Sequence, residues 1–471
     1  MRTFQVQPPC QAGLSRRSFL AGCAAGAVCA ACPAAGQAVP ETAGKAKVRL
    51  VFSYPPPDKE GWPYVNYDYE TRKKQILARL EPACPATSFL PAAAHNDVDA
   101  KRILEADREV DGYVVYMLGI PAGVAPAFMD SGRPVILVDD LYGGTGHFLT
   151  SYATARRKGL KVAGVSSSRF EDVASAARSF ETLKKLRTSV IVDVRERPVG
   201  AIPKAIEEAF GTKVTQVTGT ELDEAYRGAD RADARRWAGT WVRNAAKVIE
   251  PSREEIDKSG AMYLAMREVM QRHKAQALAI DCLNLFYGGR LAAYPCLGLC
   301  QFNDDGLVGA CESDLMSTIT MLLMTYLVQR PGFISDPVID TSKNQIIYAH
   351  CVAPTKVYGP AGPRTPYHIR DHSEDRKGAS LRSLLPLGEM TTTLEISPAR
   401  REIVFHQAKT VANLDEDRAC RTKLAAEVKD PYKLLSEWDR WGWHRVTYYG
   451  DLRVPLETVG TLLGFQMIHE G

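Results

Sequence analysis

Two short runs decide the fold: Val110-Asp111-Gly112-Tyr113-Val114-Val115-Tyr116-Met117 and Pro134-Val135-Ile136-Leu137-Val138, the second closed by Asp139-Asp140. Each is apolar without alternation and is bounded by turn or polar residues. A strand that shows no polar face is covered on both sides, which is the condition of a parallel sheet flanked by helices. Reading outward, Val48–Ser53 (VRLVFS), Lys161–Val165 and Ser189–Val194 (SVIVDV) repeat the pattern. Between them, Tyr69–Leu80 and Glu171–Leu186 carry helical character. Alternating strands and helices of this length argue for parallel α/β units, whose ligands sit beyond the carboxyl ends of the strands. The turn Gly143-Gly144-Thr145-Gly146 lies at such an end. It lacks the spacing of a dinucleotide fingerprint, so no NAD site is read there.

Further along, residues 204–275 read as mostly helical, and Gln276–Asp281 (QALAID) as a strand. Arg231, Arg235, Arg236 and Arg243 spread over about three helical turns and read as a solvated face. From about residue 345 the segments become short and β-branched: Gln345–Ala349, Glu389–Ile396 and Glu402–Phe405. The expected fold class is therefore α/β, with two Rossmann-like parallel α/β domains followed by a mostly antiparallel, β-barrel-like carboxyl-terminal domain. The expected boundaries are 39–186, 187–335 and 336–471, after a leader over 1–38.

Composition excludes several classes. The chain has 471 residues, 45% apolar and 24% charged, which rules out a disordered, collagen-like or membrane-bundle protein. The net charge is +4, and the first 38 residues hold Arg2, Arg16 and Arg17 and no acid, leaving about +1 for the remainder. Bulk electrostatics therefore give no case for a nucleic-acid partner.

The leader reads as an address. Ser15-Arg16-Arg17-Ser18-Phe19-Leu20 precedes a charge-free run of small residues, Ala21 to Ala38. Paired arginines, then Phe-Leu, then a weakly apolar stretch resemble a twin-arginine export signal, with Gly36-Gln37-Ala38 fitting a small-x-small cleavage rule. The run is too short and too rich in Ala, Gly and Cys for a membrane span. Leu20-Ala21-Gly22-Cys23 looks like a lipid-attachment box, but almost no apolar region precedes it. The expectation is an exported, periplasmic or extracytoplasmic protein that engages the twin-arginine export machinery. As that resemblance implies, it folds before export and acquires any metal in the cytoplasm.

Of 11 cysteines, four lie in the leader, and the seven that remain are odd in number and irregularly spaced. This is not a disulfide framework. Cys296-x3-Cys300 with Cys311 lacks the Cys-x2-Cys knuckles of structural zinc sites, so buried free thiols are expected.

The chemistry-bearing residues lie between 281 and 350, with one outlier. Ala310-Cys311-Glu312-Ser313-Asp314 enters the apolar helix Thr318–Leu327. Asp336 follows the strand-like Gly332–Ile334. His350 follows Gln345–Ala349. His444 sits far downstream in Trp441-Gly442-Trp443-His444-Arg445. First-turn carboxylates alone would only complement a helix dipole. Carboxylates combined with imidazoles, and no thiolate pair, suit a hard or borderline divalent ion such as Mn²⁺ or Mg²⁺. Two carboxylates beside such an ion also suit proton transfer at carbon.

These pieces, in this order, resemble the L-fucose/L-arabinose isomerase superfamily. The matching residues are Ala310–Asp314 with its helix, the Asp336 loop, Ala349-His350-Cys351 with Pro354, the hairpin Leu387–Leu394, and Trp443-His444-Arg445 with Gly450-Asp451. The resemblance spans about 275–455. It implies a Mn²⁺-dependent aldose–ketose isomerase working through a cis-enediol. Glu312 and Asp336 would be ligands and acid/base partners, His444 the distal ligand, and His350 a ligand kept in the arabinose branch only. Trp441 and Trp443 would stack on the sugar, and Asn303 would join the substrate site. The family also implies a homo-oligomer, trimer or hexamer. Two alternatives stay open: an exported enzyme of the same metal site doing lyase or epimerase chemistry on modified sugars, and a non-catalytic sugar-binding protein. His368 and His372 fall in a charged stretch and read as a solvent-exposed loop.

Overall fold

The computed structural model describes residues 44–471. The twin-arginine stretch with Arg16 and Arg17, and Cys23, lie outside them. β1 (Ala46–Ser53), β2 (Thr87–Ala94), β3 (Gly112–Met117), β4 (Val135–Asp139) and β5 (Val162–Ser166) form a parallel sheet in the order β2-β1-β3-β4-β5. The unbroken apolar runs around Val114 and Ile136 form β3 and β4, and every residue of these two strands is buried. Helices Tyr69–Ala83 and Phe170–Thr188 bear out the helical readings. β2 escapes the sequence reading because TSFLPAAA has little β character. Its Pro91 is tolerated because β2 is an edge strand.

β6 (Val190–Val194), β7 (Lys213–Val217), the two-residue β8 (Lys247–Val248), β9 (Ala277–Ile280) and β10 (Val308–Cys311) follow. Four of them make a second parallel sheet, ordered β10-β9-β6-β7. The stretch 204–275 is thus not helical throughout: β7 and β8 interrupt helices Ile202–Phe210, Gly219–Gly228, Arg231–Asn244 and Arg253–Arg272. β7 (KVTQV) is an edge strand with mixed burial, so its apolar signal is weak. The four arginines on Arg231–Asn244 are exposed, as expected of a solvated face.

The rest is β-rich: β11 (Phe333–Asp340), β12 (Gln345–His350), β13 (Tyr367–His372), β14 (Lys377–Ser383), β15 (Met390–Ser397), β16 (Glu402–Asn413), β17 (Thr422–Glu427), β18 (Arg445–Tyr449) and β19 (Gln466–His469). The order β15-β18-β11-β12-β17-β16 is antiparallel at every step, and β15 also pairs with β16. The ring of six strands therefore closes, leaving only β19 added in parallel on β16. Closure removes exposed edges, which an antiparallel sheet otherwise has to protect. β13 and β14 form a separate hairpin that pairs with β8. Among the described residues, no helix is long and apolar enough to cross a membrane.

One buried ion cluster ties the chain end to the barrel. Arg445 at the start of β18 is fully buried, and its Nη2 donates to Glu470 Oε2 at 3.0 Å. Glu470 Oε1 also faces His406 Nδ1 at 2.9 Å, while His406 Nε2 meets the Tyr348 hydroxyl at 2.7 Å. Burial alone would push the Glu470 pKa up. The His406 hydrogen bond and the Arg445 charge outweigh it and bring it down to about 2. A carboxyl held lower in the fold than in the unfolded chain contributes stability above pH 4.5 that is lost as pH falls through 2. Glu470→Gln leaves Arg445 buried without a counter-charge, and should cost about 3–5 kcal/mol at neutral pH. The gap in Tm between wild type and the variant should close as pH drops from 4.5 toward 2, and a gap that does not change with pH would contradict the assignment.

Candidate metal centre

The centre forms where the carboxyl end of the second sheet meets the barrel. β10 ends at Cys311, and the next two residues, Glu312 (φ 59°) and Ser313 (φ 48°), both occupy the left-handed region. Consecutive non-glycine residues there are strained, and such strain persists only where surrounding contacts hold it. Here the Ser313 N–H donates to the Ile280 carbonyl (3.0 Å) and its hydroxyl to Asp193 (2.6 Å), while Arg195 donates to its carbonyl (3.2 Å). Asp314 then caps the helix Leu315–Val328 by accepting from the Met316 and Ser317 N–H groups. The strained turn points the Glu312 carboxylate at the barrel.

From the barrel come Asp336, His350 and His444. Asp336 lies inside β11, opposite Ala349 of β12, rather than after a shorter strand as the sequence suggested. His350 ends β12 and is fully buried. His444 precedes β18. Gly442 (φ 89°) makes the turn before it, leaving Trp443 exposed and His444 buried. His444 Nε2 stands 3.3 Å from Asp336 Oδ1 and 3.6 Å from Glu312 Oε2, and His350 Nε2 is 3.5 Å from Glu312 Oε1. One ligand atom from each of Glu312, Asp336, His350 and His444 lies within 4.8 Å of the others.

The ring of His444 is fixed by its other nitrogen. Nδ1 is 2.9 Å from Asp314 Oδ2, and a carboxylate only accepts, so the ring proton sits on Nδ1 and Nε2 faces the cluster. This is the carboxylate–histidine pairing that orients imidazole ligands. His350 is held the other way: its Nδ1 accepts the Cys351 N–H at 2.9 Å, so in the neutral ring the proton sits on Nε2 and must leave that nitrogen before it can serve as a ligand. Nε2 of both rings is buried without a hydrogen-bond partner, so these atoms lack what burial normally demands. Two carboxylates and two unpartnered imidazole nitrogens fit a hard or borderline divalent ion.

Charge shapes the site as well. Burial pushes the Asp336 carboxyl up, but the close approach of His444 and the charges of both histidines win and hold it below the usual range. Burial opposes charge on His444, yet the hydrogen bond to Asp314 and the neighbouring Asp336 carboxylate carry its pKa up to about 9. A cation entering the cluster competes with that proton.

The site residues expected from sequence separate into two groups. Glu312, Asp336, His350 and His444 converge, and Trp443 joins them, its Nε1–H donating to Asp336 Oδ1 at 2.6 Å with its ring 66% exposed. Trp441 and Asn303 do not present themselves to a ligand. Trp441 is buried, donates to Glu402 at 2.7 Å and is covered by Arg400 and Arg440. Asn303 is buried, and both ends of its amide bind the Gly309 backbone, bracing β10. His372 also corrects the sequence reading. It is a buried strand residue of β13 packed against Tyr294, because the supposed loop is a hairpin. The second role of Asp314, as partner of His444, was missed. The two lie far apart in sequence, and only the helix-cap position of Asp314 is visible there. All seven cysteines among the described residues are buried and free, as expected.

No family model matches the chain. A sulfoquinovose isomerase of Priestia aryabhattai is 29% identical over 304 residues, covering 61% of this chain and 65% of that protein. One of Alkalicoccus urumqiensis is 26% identical over 47% of this chain and 51% of its own, and one of a Clostridium species is 24% identical over 61% and 66%. This chain is similar to sulfoquinovose isomerases. The likeness to sugar isomerases expected from the motifs is thereby borne out, although the match spans less than two thirds of each relative's length.

Asp314→Asn keeps the helix cap acceptor but frees the His444 ring. Mn²⁺ affinity, measured by calorimetry, should fall about 10–100-fold with the fold intact. Unchanged affinity would remove Asp314 from the support of the site.

Proposed function

We propose that this chain is a metal-dependent aldose–ketose isomerase. The observation that carries the reading is the convergence of Glu312, Asp336, His350 and His444, from two different parts of the fold, on one cluster with two unpartnered imidazole nitrogens. Those four residues would hold the ion. A bound divalent cation, Mn²⁺ or a similar one, supplies Lewis-acid polarisation of neighbouring sugar oxygens.

The protein groups account for the proton movements. Glu312 and Asp336 are each about a quarter exposed, so a sugar can reach both. One carboxylate takes the proton from C2 and returns it at C1. The other takes the proton of the O2 hydroxyl and passes it to O1, so the cis-enediol forms and collapses with protons balanced. Trp443 fixes one Asp336 oxygen by its N–H and offers its exposed ring face to the sugar.

Sulfoquinovose is the substrate named for the relatives, and we extend it to this chain as the sugar class to test first. The leader supports an exported enzyme, and the superfamily resemblance supports a homo-oligomer. Incubation with sulfoquinovose beside fucose and arabinose should yield the ketose, and in deuterated water label should enter C1 to the extent that the carboxyl proton exchanges with solvent between its two transfers. Glu312→Gln should lower kcat at least about 10²-fold while the protein stays folded. Binding without ketose formation for any sugar would replace the isomerase reading with a binding protein, and undiminished kcat in the variant would take Glu312 out of the reaction.

A further inference from the structure

One fully buried acid has no role in what precedes. Glu395 lies in β15, opposite Val404 of β16, and none of it is exposed. A buried carboxylate without a counter-charge is costly, and such a group is held neutral instead. Arg445, whose charge reaches Glu395, spends its donors on Glu470 and on backbone carbonyls between Trp438 and His444. Glu395 Oε1 is buried without a hydrogen-bond partner. Oε2 faces the Ser317 hydroxyl at 3.1 Å.

Ser317 connects this acid to the candidate metal centre. Its hydroxyl also stands 3.2 Å from Asp314 Oδ2, the oxygen that meets His444 Nδ1 at 2.9 Å. Two carboxyls thus face one hydroxyl, which has a single hydrogen to give. Asp314 is the acceptor that hydrogen completes. Asp314 Oδ1 takes the Met316 and Ser317 N–H groups and Oδ2 the His444 Nδ1–H, so with the Ser317 hydrogen its four lone-pair sites are filled and none is left for a proton. The hydrogen between Ser317 and Glu395 then has to come from Glu395. Burial, and after it the Asp314 charge, hold the Glu395 carboxyl well above the usual carboxylate range, in agreement with that count.

We propose that Glu395 is a positioning residue of the metal centre, a neutral acid that turns the Ser317 hydroxyl onto Asp314 and so steadies the carboxylate that orients His444. It touches no ligand itself and acts through Ser317 and Asp314. Without its O–H, the Ser317 hydroxyl has another acceptor. Thr318 and Thr320 in the same helix each donate to the carbonyl four residues back, at 2.6 and 2.8 Å, and the equivalent carbonyl for Ser317 is that of Ser313. The inference rests on the metal-centre reading only for what the free nitrogen of His444 then does.

The test uses the full chain and three variants. Infrared difference spectra without metal, wild type minus Glu395→Gln, should show at neutral pH the carbonyl stretch of a protonated carboxyl. The Gln amide donates where the acid did, so Glu395→Gln should keep the His444 Nδ1–H resonance and the wild-type affinity for Mn²⁺. Glu395→Leu has similar bulk and no donor, and Ser317→Ala removes the link. Both should shift that resonance and weaken Mn²⁺ binding, measured by calorimetry, about 10-fold at unchanged circular dichroism. Ser317→Ala serves alone if Glu395→Leu does not fold. Absence of the protonated band overturns the proposal, as does a His444 resonance that Ser317→Ala leaves in place, or a loss in Glu395→Gln equal to that in Glu395→Leu. The infrared and resonance measurements need no metal, so a wild type that binds no Mn²⁺ fails the metal reading alone.

Discussion

The 2.9 Å contact between His444 and Asp314 joins two parts of the chain that fold by different rules. Asp314 belongs to a helix packed on a parallel sheet, and His444 to a turn of a closed antiparallel barrel. Neither part completes a ligand set alone. The contact fixes which imidazole nitrogen faces Glu312 and Asp336, and it does so in a nearly sealed space where an unpaired polar atom is costly. The rest of the centre is arranged around it. The left-handed pair Glu312–Ser313 aims one carboxylate, Gly442 turns His444 inward, and the fully buried Arg445 anchors the next residue to the end of the chain.

The parallel sheets were readable because a strand buried on both faces leaves an unbroken apolar run, as in β3 and β4. β2 and β7 were not, since edge strands need neither continuous apolar character nor a full set of N–H donors. The barrel was recognisable as short β-branched segments, but its closure through β15 and β16 depends on long-range pairing that no local pattern encodes. At the site, Glu312, Asp336, His350 and His444 could be named from residue type and order. Trp441 and Asn303 were named for the same reasons and lie elsewhere, because residue type does not say which way a side chain faces. An indole two positions from another indole was free to turn into the core, and Trp441 did so while Trp443 did not.

Comparison with sulfoquinovose isomerases and the geometry of the cluster support one another from independent directions. The local donors say more about chemistry than about specificity, since two acids and two imidazoles can serve any substrate with adjacent hydroxyl and carbonyl groups.

Because Glu312 is rooted in the second sheet while its three companions are rooted in the barrel, a cation held by all four would make its capture and the seating of these two lobes linked equilibria. Whatever free energy such an ion gained by binding the closed arrangement would be the same free energy by which it resisted their separation. Hydrogen exchange at the seam should therefore report on ion occupancy, even at amides that touch no ligand.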